Sequence, residues 1–285
     1  MIIVVLGPTG VGKTKLSISL AKKYNAIIVN ADAMQIYKGL DIGTAKIKEE
    51  EKEGVAHYLF DICDVSDTFS VYDYQKLARQ IILKNKDKNI VFVGGTGLYI
   101  KATFYDYKFS IEKYPNDNYD NYSNEELFSL ALKKDKNMTI DKNNRQRLVR
   151  FLNKEGINES KALPLYNAIY IGLTADREIL YDKINKRVDE MVKNGLFEEV
   201  ESFFKKNINS RALNTAIGYK EIYKYFRGEI TKEEAISLIK KNSRHYAKRQ
   251  FTFFNNQLPV KYFQTNYDNF SETVKEVENY LDKKM

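Results

Sequence analysis

Residues 7–14, GPTGVGKT, follow the spacing G-x-x-x-x-G-K-[ST], which belongs to a loop that grips a di- or triphosphate. The residue types say how. Glycines Gly7, Gly10 and Gly12 let the backbone of Gly7, Pro8, Thr9, Gly10, Val11 and Gly12 curl into a nest of N–H donors. The following helix adds its positive end, Lys13 neutralises a terminal phosphate, and the Thr14 hydroxyl is a ligand for Mg²⁺. The motif supplies an anchor and leaves the reaction open. An ATPase would add an apolar strand closing on Asp or Glu, whereas the run at 90–93 closes on Gly94-Gly95-Thr96. A second candidate group lies in NADAMQIYKGLDIGTAK, residues 30–46. Asp32 is either a turn or cap former or a general base aimed at an acceptor beside the phosphate-bearing ligand. Gln35 carries an amide able to read an adenine edge, or is surface filler.

Both groups depend on strands to bring them together. The apolar run at 2–6 reads as a buried parallel strand, followed by a helix over 15–24 with Leu16, Leu20 and Tyr24 at four-residue spacing. Further strands at 26–29 and 90–93 end at Asn30-Ala31-Asp32 and Gly94-Gly95-Thr96-Gly97. Three strands thus deliver polar loops at their carboxyl ends, the edge where open α/β sheets bind ligands. A strand at 168–173 leads into a helix over 176–193 with the stripe Leu180, Ile184, Val188 and Met191. A basic helix over 232–255, a strand at 260–263 and a helix from 271 to about 281 complete the pattern. Between them, 105–122 is rich in Tyr, Asn and Asp, and the stretch to about 154 is basic and helical in pattern, as an insertion would be. The expected fold is α/β, a P-loop NTPase-like parallel sheet flanked by helices, carrying an inserted mainly helical subdomain. The expected division is a core at 1–106 and 168–285 with the insertion at 107–167.

Composition narrows the partners. Forty-six Lys and Arg against 38 Asp and Glu give a net charge of +8 over 285 residues, which favours polyanions without naming one. Cys63 is the single cysteine, and His57 and His245 are the only histidines, so neither a disulfide framework nor a Cys/His metal cage can be assembled. No apolar run reaches the roughly 18 residues of a membrane span, and the run at 2–6 is too short for a signal peptide. A cytoplasmic monomer with no membrane partner is the expectation. Arg145, Arg147 and Arg150, and Lys241, Arg244 and Lys248, form two basic helical stripes; such stripes follow phosphates or are merely solvated.

Eight ordered segments, GPTGVGKT, NADAMQIYKGLDIGTAK, HYLFDICD (57–64), VGGTGLYIKA (93–102), RQRLVRFLN (145–153), IGLTADREILYDKINKRVDEMVKNGLFEEV (171–200), AIGYKEIYKY (216–225) and RHYAKRQFTFF (244–254), resemble the tRNA dimethylallyltransferases of bacterial type. The resemblance implies dimethylallyl diphosphate as donor and, as acceptor, the adenosine on the 3′ side of the anticodon in tRNA. It places the donor diphosphate on residues 7–14 and gives Asp32 the proton of the adenine N6 amine. By the same match Lys13, Thr14 with Mg²⁺, and Arg187 stabilise the leaving pyrophosphate. Asp32, Ala33, Met34, Gln35, Thr96, Gln146, Arg147, Leu148, Val149 and Arg150 would contact tRNA, joined by Arg244 and Lys248 of the last basic helix. The sequence departs from the family pattern at Ala33, at Asn144 and at Phe253-Phe254-Asn255. Rival readings are an adenylate prenyltransferase acting on free nucleotide, a P-loop nucleotide kinase, and a non-catalytic RNA-binding protein.

Overall fold

The computed structural model describes residues 1–107, 109, 119–153 and 163–284. Its strands are β1 (Ile2–Leu6), β2 (Ala26–Asn30), β3 (His57–Tyr58), β4 (Asn89–Gly94), β5 (Ile169–Thr174) and β6 (Lys261–Gln264). They form one sheet in the order β3-β2-β4-β1-β5-β6, with every pair parallel. The helices are α1 (Lys13–Lys23), α2 (Val71–Lys84), α3 (Gly97–Phe104), α4 (Asn124–Lys134), α5 (Arg145–Leu152), α6 (Arg177–Lys193), α7 (Leu196–Lys205), α8 (Arg211–Thr215), α9 (Tyr219–Phe226), α10 (Lys232–Gln257) and α11 (Phe270–Asp282). None is long and apolar enough to cross a membrane.

A parallel sheet covered on both faces needs strands that are apolar at successive positions. Alternation within β1 shows the consequence. Ile3 and Val5 enter one core with Leu16 and Leu20 of α1, Ile184 of α6 and Val277 of α11. Val4 and Leu6 point the other way, into a core with Tyr74 of α2, Ile100 and Phe104 of α3 and Phe254 of α10. A third cluster joins Ile36 and Leu40, from the loop after β2, to Val188 of α6, Leu196 of α7 and Ile239 of α10.

The chain divides into two compact units, Met1–Tyr105 with Pro164–Met285, and Asp106–Leu163. In the smaller unit α4 and α5 pack through Leu127, Ala131 and Leu148. Arg145, the first of the three arginines in the basic stripe, donates to the carbonyls of Tyr119 and Tyr122, each at 2.5 Å. Asn144 takes up the N-cap of α5 and accepts the Arg147 N–H at 3.2 Å, as an aspartate there would. Residues 108, 110–118 and 154–162, which hold much of the Tyr-, Asn- and Asp-rich stretch and the end of the basic one, lie outside the described residues.

Candidate active site

The phosphate loop connects β1 to α1, whose helical turn already includes Lys13 and Thr14, two residues earlier than expected. Gly12 caps it at φ 88°, and a Cβ there would fall 2.4 Å from the Phe270 ring; only glycine satisfies both conditions. Val11 buries its side chain while its carbonyl accepts the Thr265 hydroxyl at 3.1 Å. Lys13 Nζ donates to the Pro8 carbonyl at 2.7 Å, folding back over its own loop. Burial, then the neighbouring Arg187 charge, lowers the Lys13 pKa to about 7 against the opposing pull of Asp32. Thr14 stands exposed in the first turn of α1.

Arg187 reaches the same place from α6. Its Nε is buried and bonds to nothing among the described residues. Burial pushes its pKa down, while the charges of Asp32, Glu190 and Glu51 hold it up. A cation kept partly desolvated beside a second cation, with no carboxylate in ion-pair distance among the described residues, is an arrangement that an anion would relieve.

Asp32 follows β2, which is separated from β1 by β4 alone. Two strand spacings put the tips about 9–10 Å apart, a distance suited to a small reacting group between them. The intervening β4 tip must therefore be low. Gly94 and Gly95 close that strand, and a Cβ on Gly95 would sit 2.0 Å from Gln250 Nε2. Asp32 Oδ1 accepts the Met34 N–H at 3.0 Å, so the turn-former reading is correct for one oxygen. Oδ2 takes no hydrogen bond from the described residues and is 3.8 Å from that same Cβ position. Lys13, Thr14, Asp32 and Arg187 all line one cavity of about 1180 Å³.

Ala33, Met34 and Gln35 line the cavity, but the Gln35 amide spends its donors on the Thr44 and Ala45 carbonyls at 3.0 and 3.4 Å. Those bonds tie Gln35 to the 44–45 turn of the same loop. Thr96 Oγ1 accepts the Ala33 N–H at 3.0 Å and ties the Asp32 loop to the β4 tip. Arg244 donates to Asn185 at 2.5 Å and lies over the Tyr181 ring, which binds it to α6. Lys248 is exposed. In the smaller unit Gln146, Arg147 and Arg150 are exposed and Val149 half-buried, whereas Leu148 is fully buried, so its side chain belongs to that unit's core.

Sequence reasoning missed the inward face of α10, where Tyr246, Arg249 and Gln250 line the cavity. Their i, i+3, i+4 spacing within RHYAKRQ was the available signal; attention to charge picked Arg244 and Lys248 on other faces. Tyr246 is held protonated chiefly by burial, with the Asp32 charge adding to the effect. The loop that follows Asp32 is clamped from α7, where Glu199 accepts the N–H groups of Asp41, Ile42 and Gly43 at 3.1, 2.7 and 3.1 Å and the Tyr219 hydroxyl. Lys46 holds the same loop from within, donating to the Tyr37 carbonyl and to Asp41 and Asp61.

A loop of the phosphate-gripping type, two cations and a carboxylate around one cavity at the carboxyl edge of a parallel sheet are the apparatus of group transfer from a phosphorylated donor. The model of the IPP transferase family matches residues 35–257. Over 99% of its length the chain is 45% identical to the tRNA dimethylallyltransferase of Anoxybacillus flavithermus, covering 96% of that protein. It is 44% identical over 92% of its length to the one of Bacillus subtilis, covering 90% of it. The structure matches the full-length tRNA isopentenylpyrophosphate transferase of Bacillus halodurans at TM-score 0.78 and 38% identity, over 99% of this chain and 96% of that one. A eukaryotic dimethylallyltransferase shares the fold at TM-score 0.82 and 23% identity, over 98% of this chain and 77% of that one. The chain belongs to the IPP transferase family, that of the tRNA dimethylallyltransferases.

Proposed function

We propose that this chain transfers the dimethylallyl group of dimethylallyl diphosphate to the N6 amine of the adenosine 3′ to the anticodon of tRNA, releasing pyrophosphate. The observation that carries the reading is the shared cavity: Lys13 and Arg187 on the phosphate side, and Asp32 one strand beyond the phosphate loop. The relatives' names agree with it. In the reaction N6 bonds to C1 of the donor as the C1–O bond breaks, its electron pair leaving with pyrophosphate. The amine nitrogen becomes positively charged and sheds a proton to Asp32 Oδ2. Lys13 and Arg187 neutralise charge that grows on the leaving group, and the partly closed cavity strengthens that effect.

The residues present fit Mg²⁺ in a limited way. No group of three or more His, Cys, Asp or Glu side chains suited to a metal occurs among the described residues, while Thr14 offers an exposed hydroxyl at the loop. Mg²⁺ is commonly held by few protein ligands together with substrate phosphates, so Thr14 and the donor would hold it. Bound there, it would add positive charge to the leaving diphosphate.

Incubation with labelled dimethylallyl diphosphate and, separately, unmodified tRNA, AMP or adenosine tests the assignment. Label in tRNA with equimolar pyrophosphate is expected. Label on AMP alone would make the chain an adenylate prenyltransferase, and no label on any acceptor, with phosphoryl transfer to AMP once ATP is supplied, would make it a kinase.

Two further results are expected. Lys13, with its pKa near 7 in the empty site, must be charged when diphosphate is bound. At pH 8 donor binding should therefore take up close to one proton, falling towards zero below about pH 6; calorimetry in buffers of different ionisation enthalpy measures this. The sign for stability is set by the same lowered pKa. Between about 7 and the unfolded value of 10.5, the unfolded chain binds more protons, so this group makes the empty protein more stable as pH rises. For the smaller unit, Arg147→Gln should reduce the slope of log K against log salt for tRNA by about one unit. An unchanged slope returns Arg147 to a solvated face.

A further inference from the structure

Asn30 is the last residue of β2 and is 1% exposed, in a strand whose other members, Ala26 to Val29, are all buried and apolar. An amide there must spend its polar atoms or carry a penalty for burying them. It spends all of them on backbone. Oδ1 accepts the Asp32 N–H at 2.9 Å, and Nδ2 donates to the Asp32 carbonyl at 3.0 Å and the Leu59 carbonyl at 2.9 Å. Its own carbonyl accepts the Tyr74 hydroxyl at 2.7 Å. One side chain therefore grips both polar backbone atoms of Asp32 and fastens them to the HYLFDICD segment. That segment is itself fixed: Leu59 is buried and held at φ 63°, and Asp61 pairs with Lys46 at 2.6 Å.

With the Asp32 backbone held by Asn30, the next N–H held by Thr96 and Oδ1 held by the Met34 N–H, little torsional freedom is left to the carboxylate. Oδ2 is delivered to the cavity already oriented. We infer that Asn30 is a positioning residue that sets the aim of Asp32 for proton removal, acting through the Asp32 peptide and without touching substrate. The inference rests on the proposed role of Asp32 as base.

A four-enzyme comparison tests it: the parent, Asn30→Ala, Asp32→Asn, and the double variant, each assayed for turnover and donor KM on tRNA. Active sites are counted by donor titration, so misfolded protein does not enter kcat. Asn30→Ala is expected to lower kcat about 10- to 100-fold, the scale of a displacement near 1 Å at a reacting group. Donor KM should stay within about twofold, because the phosphate loop is carried by β1 and α1. Added to Asp32→Asn, the same change should cost less than about twofold, as residues acting through one group do not add. Asn30→Ser keeps a hydroxyl oxygen that can accept the Asp32 N–H in the same kind of turn but gives up the reach to the Leu59 carbonyl; it should fall between parent and Asn30→Ala, and it carries the test should the alanine variant not fold. Unaltered kcat in folded Asn30 variants, or an equal loss in both backgrounds, overturns the assignment. If Asp32→Asn itself keeps parental turnover, the base reading of Asp32 fails instead, and the same four measurements show which has happened.

Discussion

Asp32→Asn is expected to leave tRNA binding within about twofold and to lower turnover by about two to four orders of magnitude, the usual worth of a general base. The asparagine can keep the turn, because its carbonyl oxygen still accepts the Met34 N–H that Oδ1 accepts at 3.0 Å. What disappears is the free oxygen and its charge. That charge has a second effect, since Asp32 raises the pKa values of both Lys13 and Arg187. Without it Lys13 should be deprotonated at lower pH in the empty site, so proton uptake on donor binding should persist below about pH 6, where that of the parent falls towards zero. Turnover on tRNA and the pH dependence of uptake are read on the same protein. Parental turnover would remove Asp32 from the chemistry; lost turnover with unshifted uptake would separate its role as base from its electrostatic pairing with the phosphate side.

The second large effect is expected from the phosphate side. Lys13→Ala should raise donor KM about 10- to 100-fold, as each hydrogen bond to a charged group is worth about 1.5–3 kcal/mol. Arg187→Met should weaken donor binding by a similar factor and at the same time stabilise the empty protein. The reason is the buried Nε with no partner among the described residues: an apolar chain of similar length removes a desolvated charge and an unmet donor together. A gain of about 1 kcal/mol would raise Tm by about 2 °C or more in a protein of this size. Donor titration and thermal unfolding without ligand check both halves. A normal donor KM in either variant counts against the phosphate role, and a lowered Tm in Arg187→Met would show that the guanidinium is already satisfied in the resting site.

Much of this arrangement is legible in the letters because parallel strands and phosphate loops have local signatures. The run at 2–6, the glycine spacing and the lysine–threonine pair need no distant partner to be recognised. The helix α2 carried a signal that went unread, the capping pair of Ser70 and Asp73, and α3 was hidden because its eight residues are mostly buried and show no polar face. The two-residue strand β3 has no periodicity to detect. Arg145, Arg147 and Arg150 look equivalent as a spacing, yet Arg145 is engaged by the Tyr119 and Tyr122 carbonyls. Charge in a sequence does not say what already occupies it.

The residues by themselves determined the phosphate-gripping loop at 7–14 and that the loops after β1, β2 and β4 gather at one edge, since strand direction follows from the buried parallel pattern. Only the tertiary structure decided that Asp32 lies one strand removed from the phosphate loop, that Oδ1 is spent and Oδ2 is not, and that Arg187, more than 150 positions along the chain from Asp32, completes the cavity. Strand order, side-chain rotation and the partner each polar atom finds are set by packing among segments far apart in sequence, and no local spacing encodes them.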